Sequence, residues 1–165
     1  MKSKINELLE MQKDLDKAFM KEFGITYDDI SYEQYAMAII DEIGEFVHTR
    51  KPNWCWWSKK QQNAVVDEKH SLEEMVDILH FVLGVSLKNN IDIINEDVSK
   101  YEVYGTICNT SIEDLISLIV SGKDKECCLP NYLIFASKFG YDLDTLYEAY
   151  LEKNKENYRR IKEGY

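Results

Sequence analysis

Two acidic pairs, Glu42-Ile-Gly-Glu45 and Glu74-Met-Val-Asp77, stand in the two most apolar helical stretches of the chain. An α-helix turns once every ~3.6 residues, so partners three apart lie roughly 60° apart on one face and present their carboxylates together. On the wheel of the second stretch Phe81 falls between Glu74 and Asp77, with Ile78 and Val85 flanking them, which is the arc expected to be buried. The expectation is four carboxylates inside the fold, where unpartnered charge is costly and like charges repel. Divalent cations with oxygen ligands relieve both penalties, and Mg²⁺ binds in this way. One acidic i, i+3 pair is ordinarily a solvated helix face. Two pairs on two apolar helices point instead to a metal. Ser71-x-x-Glu74 also reads as a capping box, with Glu74 returning to the Ser71 backbone N–H, but that leaves Asp77 unexplained.

Other polar groups interrupt apolar surfaces. Gln12 and Asp16 lie on the apolar stripe of the first helix, either as hydrogen-bonded core groups or as groups that bind the edge of a base. His80 sits in the most apolar helix with no Cys or His placed to complete a zinc site, so the plain reading is a satisfied core histidine. Trp54, Trp56 and Trp57, followed by Lys59, suit core or interface packing, and equally a flat base next to a phosphate chain. Near the C-terminus, helical spacing aligns Lys153, Asn157 and Arg160, concentrating phosphate-type donors in an acidic protein.

Helices must carry these residues. Gly and Pro are scarce, at seven and two residues, and helix formers dominate, which favours an all-α fold in a single domain over residues 1–165. The first helix is expected at about Lys4 to Phe23, with Ile5, Leu8, Leu9, Leu15 and Phe19 on its stripe. Ser31 caps a second, Tyr32 to Arg50, and Pro52 bars its continuation; Lys51 to His70 reads as irregular. Ser71 caps a third, Leu72 to Asn89, central to the core. A short helix is expected within Ile91 to Tyr104, a fourth from Thr110 or Ser111 through Val120 to Gly122, a fifth from Pro130 to Gly140, and a last from Leu143 to Glu163. After Tyr150 that helix has little to bury.

A net charge of -10 argues against nucleic-acid or anionic-membrane partners, which need a basic surface. The four cysteines, 55, 108, 127 and 128, form no CxxC or zinc spacing and read as reduced thiols. With no signal-peptide run and no stretch of about 18 apolar residues, a cytoplasmic location is expected.

Several segments together resemble a known family. Glu42, Glu45, Glu74 and Asp77 match an ExxE, a spacer (residues 46–73) and an ExxD; LLEMQKDLD, WCWWSKK and DILHF match its further motifs, and KNKENYRRIKEGY looks like a terminal KNxxNxxRQxxGY. The chain thus resembles the dimeric all-α dUTPases (dUTPase type 2) of the all-α NTP pyrophosphatase (MazG-like) superfamily. Ile161 stands where the terminal pattern has Gln, and Asp16 where some members have Asn.

The resemblance implies a helical bundle whose core helices carry ExxE and ExxD, and Mg²⁺-dependent cleavage of dUTP to dUMP and pyrophosphate, with dUDP as a further candidate substrate. It implies Glu42, Glu45, Glu74 and Asp77 as metal ligands, Glu45 as the group that activates water for attack on the β-phosphorus, and a homodimer. Gln12, Trp57 and His80 would enclose uracil and deoxyribose, with Asp16 at the base, and Lys59, Lys153, Asn154, Asn157, Arg160 and Tyr165 would hold the phosphates. Residues 151–165 would close over the nucleotide. Two other readings stand beside this one: a dCTP or broader nucleotide pyrophosphatase of the same superfamily, and a non-enzymatic helical protein that senses nucleotides and binds a partner.

Overall fold

The computed structural model describes residues 3–107, 109–121 and 128–164, and every regular element among them is helical. Helix α1 (Lys4–Phe23) starts where the Ser3 side chain accepts the Asn6 N–H, and ends at Gly24, whose left-handed φ of 64° is open to glycine without strain. Its buried stripe is Ile5, Leu8, Leu9 and Leu15, with Gln12 buried among them. A 3₁₀ turn, Tyr27–Asp29, follows. Helix α2 (Tyr32–Thr49) opens with a capping box in which Ser31 and Gln34 satisfy each other's backbone N–H groups.

The segment expected to be irregular holds two single-turn helices, α3 (Lys51–Trp54) and α4 (Lys59–Gln62). Pro52 sits in the first turn of α3, where its missing N–H would have had no helical partner. The start of α5 (Glu68–Lys88) also differs from expectation. Asp67, not Ser71, is the cap, accepting the His70 N–H at 3.1 Å. Ser71 lies inside the helix, fully buried, and accepts from Arg50 Nη1 at 3.3 Å. The capping-box role of Glu74 therefore disappears, because the helix has already begun a turn earlier.

Beyond Asn89 come α6 (Ser99–Ile107), α7 (Ile112–Val120, capped by Ser111), α8 (Cys128–Lys138) and α9 (Leu143–Glu163, capped by Asp142). The short helix expected within Ile91 to Tyr104 thus begins late and runs to Ile107. Helix α8 begins two residues before Pro130, and the expected stop at Gly122 lies outside the described residues.

Helix α5 is the hub. It runs along α2 and also packs on α1, α8 and α9, while α6 and α7 pack on α8. Met75, Val76, Ile78, Leu79, Val82 and Leu83 are fully enclosed, and each such burial is worth roughly 1.5–3 kcal/mol. Arg50, at the end of α2, lies over the Phe46 and Phe139 rings and bonds Glu68 at 2.7 Å, fastening that end to the start of α5. Helix α9 is unbroken through residues 151–163. Its inner face there is half-buried against its neighbours, more than the polar sequence suggests. No described helix is long and apolar enough to cross a membrane.

Candidate active site

The pairing of α2 with α5 brings the two acidic motifs together. Carboxylate oxygens of Glu42, Glu45 and Glu74 lie within 4.8 Å of one another. Asp77 stands one turn further along α5 and is ion-paired with Lys153 of α9 at 2.5 Å. Burial is graded rather than uniform. Glu74 is buried, Glu42 and Asp77 are half-buried, and Glu45 is exposed. The expectation of four interior carboxylates is corrected accordingly: two residues three apart on a helix straddle the edge of its buried arc, and Glu45 falls on the solvent side.

The cluster is under electrostatic stress. Burial, together with Asp77, Glu45 and Glu74, pushes the Glu42 carboxyl up to about 7. Burial raises Glu74 as well, with Glu45 and Asp77 adding to it and His70 opposing. Burial raises Asp77, while Lys153 pulls it back. His70 Nδ1 lies 3.2 Å from Glu74 Oε1. Three converging carboxylates, with burial and mutual repulsion raising Glu42 and Glu74, are a donor set that fits a hard divalent cation, since such a cation reverses the repulsion.

The acidic cluster forms a seam between two clefts. Glu45 and Glu74 line one of about 500 Å³, with His48 and His70. Glu42 and Asp77 line the other, of about 460 Å³, on which Lys153, Asn157 and Arg160 of α9 also open. The far end of this main cleft is largely apolar, with Leu15, Phe19, Ile25, Ile30 and Phe81 in its wall. Polar groups there are bonded to one another. Gln12 Oε1 lies 2.7 Å from His80 Nδ1 and accepts from Tyr150 O–H at 2.9 Å, while Gln12 Nε2 donates to Asp16 Oδ1 at 2.7 Å. Asp16 Oδ2 accepts from Tyr27 O–H at 2.7 Å, and the His80 ring stacks on Tyr150 with centroids 4.3 Å apart. Tyr35 of α2 fits against Gly84 of α5 so closely that a Cβ there would stand 2.9 Å from the ring.

One cavity thus joins an apolar, hydrogen-bonding end to an acidic seam and a row of cationic and amide donors. The family description for dUTPase, dUTPase_2, matches residues 4–165, which is all but the first three residues. The chain belongs to the dUTPase_2 family. It is an enzyme, a member of a dUTP diphosphatase family, and its all-α bundle is that family's fold class. No curated protein and no solved structure matches it.

With the dUTPase_2 assignment in place, the expected site residues sort by position. Gln12, Asp16, Glu42, Asp77, His80, Lys153, Asn157 and Arg160 share the main cleft, and Glu45 and Glu74 border it from the other side of the seam. Trp57 and Lys59 line neither cleft. Trp57 is 63% exposed and packs on Trp54 and Trp56 at centroid distances of 5.6 and 5.5 Å. Asn154 is absent from both walls, its Oδ1 buried without a partner among the described residues. Tyr165 lies outside the described residues. Reasoning from sequence missed Tyr27, Tyr35, Tyr150 and His70. Two signals could have found three of them: Tyr35 stands seven residues, two turns, before Glu42, and Tyr150 and His70 stand one turn before Lys153 and Glu74.

Proposed function

We propose that this dUTPase_2 enzyme is a Mg²⁺-dependent dUTP pyrophosphatase that hydrolyses dUTP to dUMP and pyrophosphate. The observation that carries the reading is the continuity of the main cleft, from an apolar end to the acidic seam and the α9 donors. Glu42, Glu45, Glu74 and Asp77 would hold the metal. Mg²⁺ supplies neutralisation of triphosphate charge and a lowered pKa for an attacking water. Glu45, the solvent-facing carboxylate of the cluster, is placed to take the proton of an attacking water, whose oxygen would bond to the β-phosphorus while the bond to the dUMP oxygen breaks. Lys153, Asn157 and Arg160 orient the phosphates, and the half-buried setting strengthens each contact relative to bulk water. Phe81, Leu15 and Tyr35 exclude water from around the base and sugar.

The test is pyrophosphate release from dUTP, dCTP, dTTP and dATP by the purified protein, with and without MgCl₂. Release from dUTP, abolished by EDTA, is expected. No release from any nucleotide would sink the dUTP pyrophosphatase reading, and a preference for dCTP would move the substrate.

The same reading includes a homodimer. Trp54, Trp56 and Trp57 form an exposed aromatic cluster, tied to the end of α2 by the Trp54 indole donating to Val47 O at 2.9 Å. Met37 and Ile40 on α2 are exposed as well, at 66% and 46%. Apolar surface of this kind is covered by a partner in a stable assembly. Sedimentation should find a dimer. Trp56→Ser with Met37→Ser should shift it towards monomer, and a monomeric wild type would remove this part.

A further inference from the structure

The two sides of the acidic seam differ in the donors they offer. On the main-cleft side Glu42 and Asp77 present oxygen only, with Lys153 beside them. The smaller cleft, of about 500 Å³, brings two imidazoles, His48 and His70, into one lining with Glu45 and Glu74. His70 precedes Glu74 by four residues on α5, so the two side chains lie one above the other on a single helix face. The His70 backbone N–H is held by the Asp67 cap at 3.1 Å, which fixes the residue within the first turn. Its Nδ1 stands 3.2 Å from Glu74 Oε1 and 3.8 Å from Glu73 Oε2. On a cation with bonds of about 2.1 Å, adjacent ligand atoms are about 3.0 Å apart in an octahedron and about 3.4 Å apart in a tetrahedron. The His70 and Glu74 atoms already stand at such a separation.

A histidine and a glutamate one turn apart are ordinarily a weak surface pair. Here the glutamate is buried and its carboxylate converges with those of Glu42 and Glu45, so the imidazole adds a nitrogen to a cluster of oxygens. We propose that His70 and Glu74 form a helix chelate which, with Glu45 across the smaller cleft, takes a borderline divalent cation of the Zn²⁺ or Co²⁺ class in preference to Mg²⁺. Imidazole nitrogen suits such cations, whereas Mg²⁺ favours carboxylate and water oxygen. Glu74 is the fixed member of the set, while Glu45 and His70 are exposed side chains able to turn towards the ion. The inference rests on the reading of Glu45 and Glu74 as metal ligands and deepens it. A cation held here takes two of the carboxylates proposed for Mg²⁺, so the two ions compete. His48 shares the cleft, but its Nε2 lies 3.4 Å from Lys51 Nζ and is engaged there.

The experiment uses metal-stripped full-length protein with ZnCl₂, CoCl₂ or MgCl₂ and no nucleotide. Calorimetric titration gives the affinities, and long-range ¹H–¹⁵N correlation of uniformly ¹⁵N-labelled protein at pH 7 follows the histidine rings. With ZnCl₂ the His70 Nδ1 resonance should move to the metal-bound range while Nε2 carries the proton. A His70 ring that ignores saturating ZnCl₂ overturns the assignment. His70→Ala should lose roughly tenfold or more in Zn²⁺ and Co²⁺ affinity, since even an outer-shell partner is worth about 10–100-fold, and its Mg²⁺ affinity should be little changed. An equal loss for all three cations is the signature of a merely structural effect, and it refutes the chelate as surely as no loss at all. His48→Ala should bind Zn²⁺ as the wild type does; a loss matching that of His70→Ala would refute the assignment in favour of general surface-histidine binding. Should His70→Ala fail to fold, the wild-type spectra decide. Because the titrations involve no turnover, an inactive protein with the expected His70 shift would remove the hydrolase reading and leave the chelate intact. A protein that cleaves dUTP with MgCl₂ while His70 ignores ZnCl₂ would do the reverse.

Discussion

Replacing Gly84 by Ala sets two effects of known size against each other. Glycine within a helix is worth about 1 kcal/mol less than alanine, so at an unobstructed site the substitution stabilises. At Gly84 the added Cβ would meet Tyr35 Cε1 at 2.9 Å and its hydroxyl oxygen at 3.2 Å, whereas carbon atoms in good contact stand roughly 3.5–4.0 Å apart. The Tyr35 ring, only 7% exposed, must move by roughly 0.6 Å or more within a packed wall. Overpacking of that kind costs about 1–3 kcal/mol, so the net expectation is a loss of roughly 1 kcal/mol, or ~2–4 °C in Tm. Gly44 is the internal control, because a Cβ there meets nothing within 4 Å and Gly44→Ala should stabilise by about 1 kcal/mol. Tyr35 lines the main cleft, so its displacement should also lower kcat/KM for dUTP by roughly tenfold or more. Thermal melts of both variants and initial rates of pyrophosphate release measure the two effects. A Gly84→Ala protein as stable as Gly44→Ala, with unchanged kcat/KM, would refute the contact and the role of Tyr35 in shaping the cleft.

Glu45→Gln should keep its helical circular dichroism and bind dUMP normally while losing roughly 10²–10⁴ in kcat, since it removes a charge and a base at constant shape; retention of the rate would move water activation to another residue. Mg²⁺ at ~100 times its Kd should stabilise the protein by about 2.7 kcal/mol, raising Tm by roughly 5–10 °C. Glu74→Ala should lose most of that rise, and equal rises in both proteins would place the metal elsewhere. Folded His80 titrates at about 3 and unfolded histidine near 6.5. Between those values the unfolded chain binds the extra proton, so stability falls on acidification through that window, by at most about 1.4 kcal/mol per pH unit. Urea unfolding at pH 4, 5, 6 and 7 should show a shallower acid loss in His80→Gln, and parallel curves would place His80 in a more solvated setting.

Where local signals and tertiary demands agree, element bounds were readable. Helices α1 and α9 run as expected, because Gly24 and Asp142 mark ends that no neighbour overrides. The start of α5 was not readable for a physical reason. Its first turn, Glu68-Lys69-His70, faces solvent and carries no apolar period, while Ser71, the cap suggested by spacing, is drawn into the core by Arg50. Helices α3 and α4 are single turns, too short for any periodicity, and α6 is short, with Asp97 accepting the Ser99 N–H at its start inside a segment of mixed short apolar and charged groups. In the site, the acidic motifs and the Lys153, Asn157 and Arg160 row were legible because charge in an apolar or acidic context stands out. The tyrosines were not, since Tyr35 and Tyr150 look like ordinary core residues until their partners on other helices are known. The exposure of Glu45 also depends on how α2 is rotated against α5, which spacing alone leaves undetermined.

Tyr150 takes part in two things at once. It stacks on His80 and bonds Gln12 at the base end of the cleft, and it is the last fully enclosed residue of α9 before Lys153. Three helical steps separate the two, an axial rise of about 4.5 Å. The helix therefore works as a ruler with its zero mark at the base, and a bend or a one-residue insertion between Tyr150 and Lys153 would shift the whole scale of phosphate contacts against the base without altering a residue at either end.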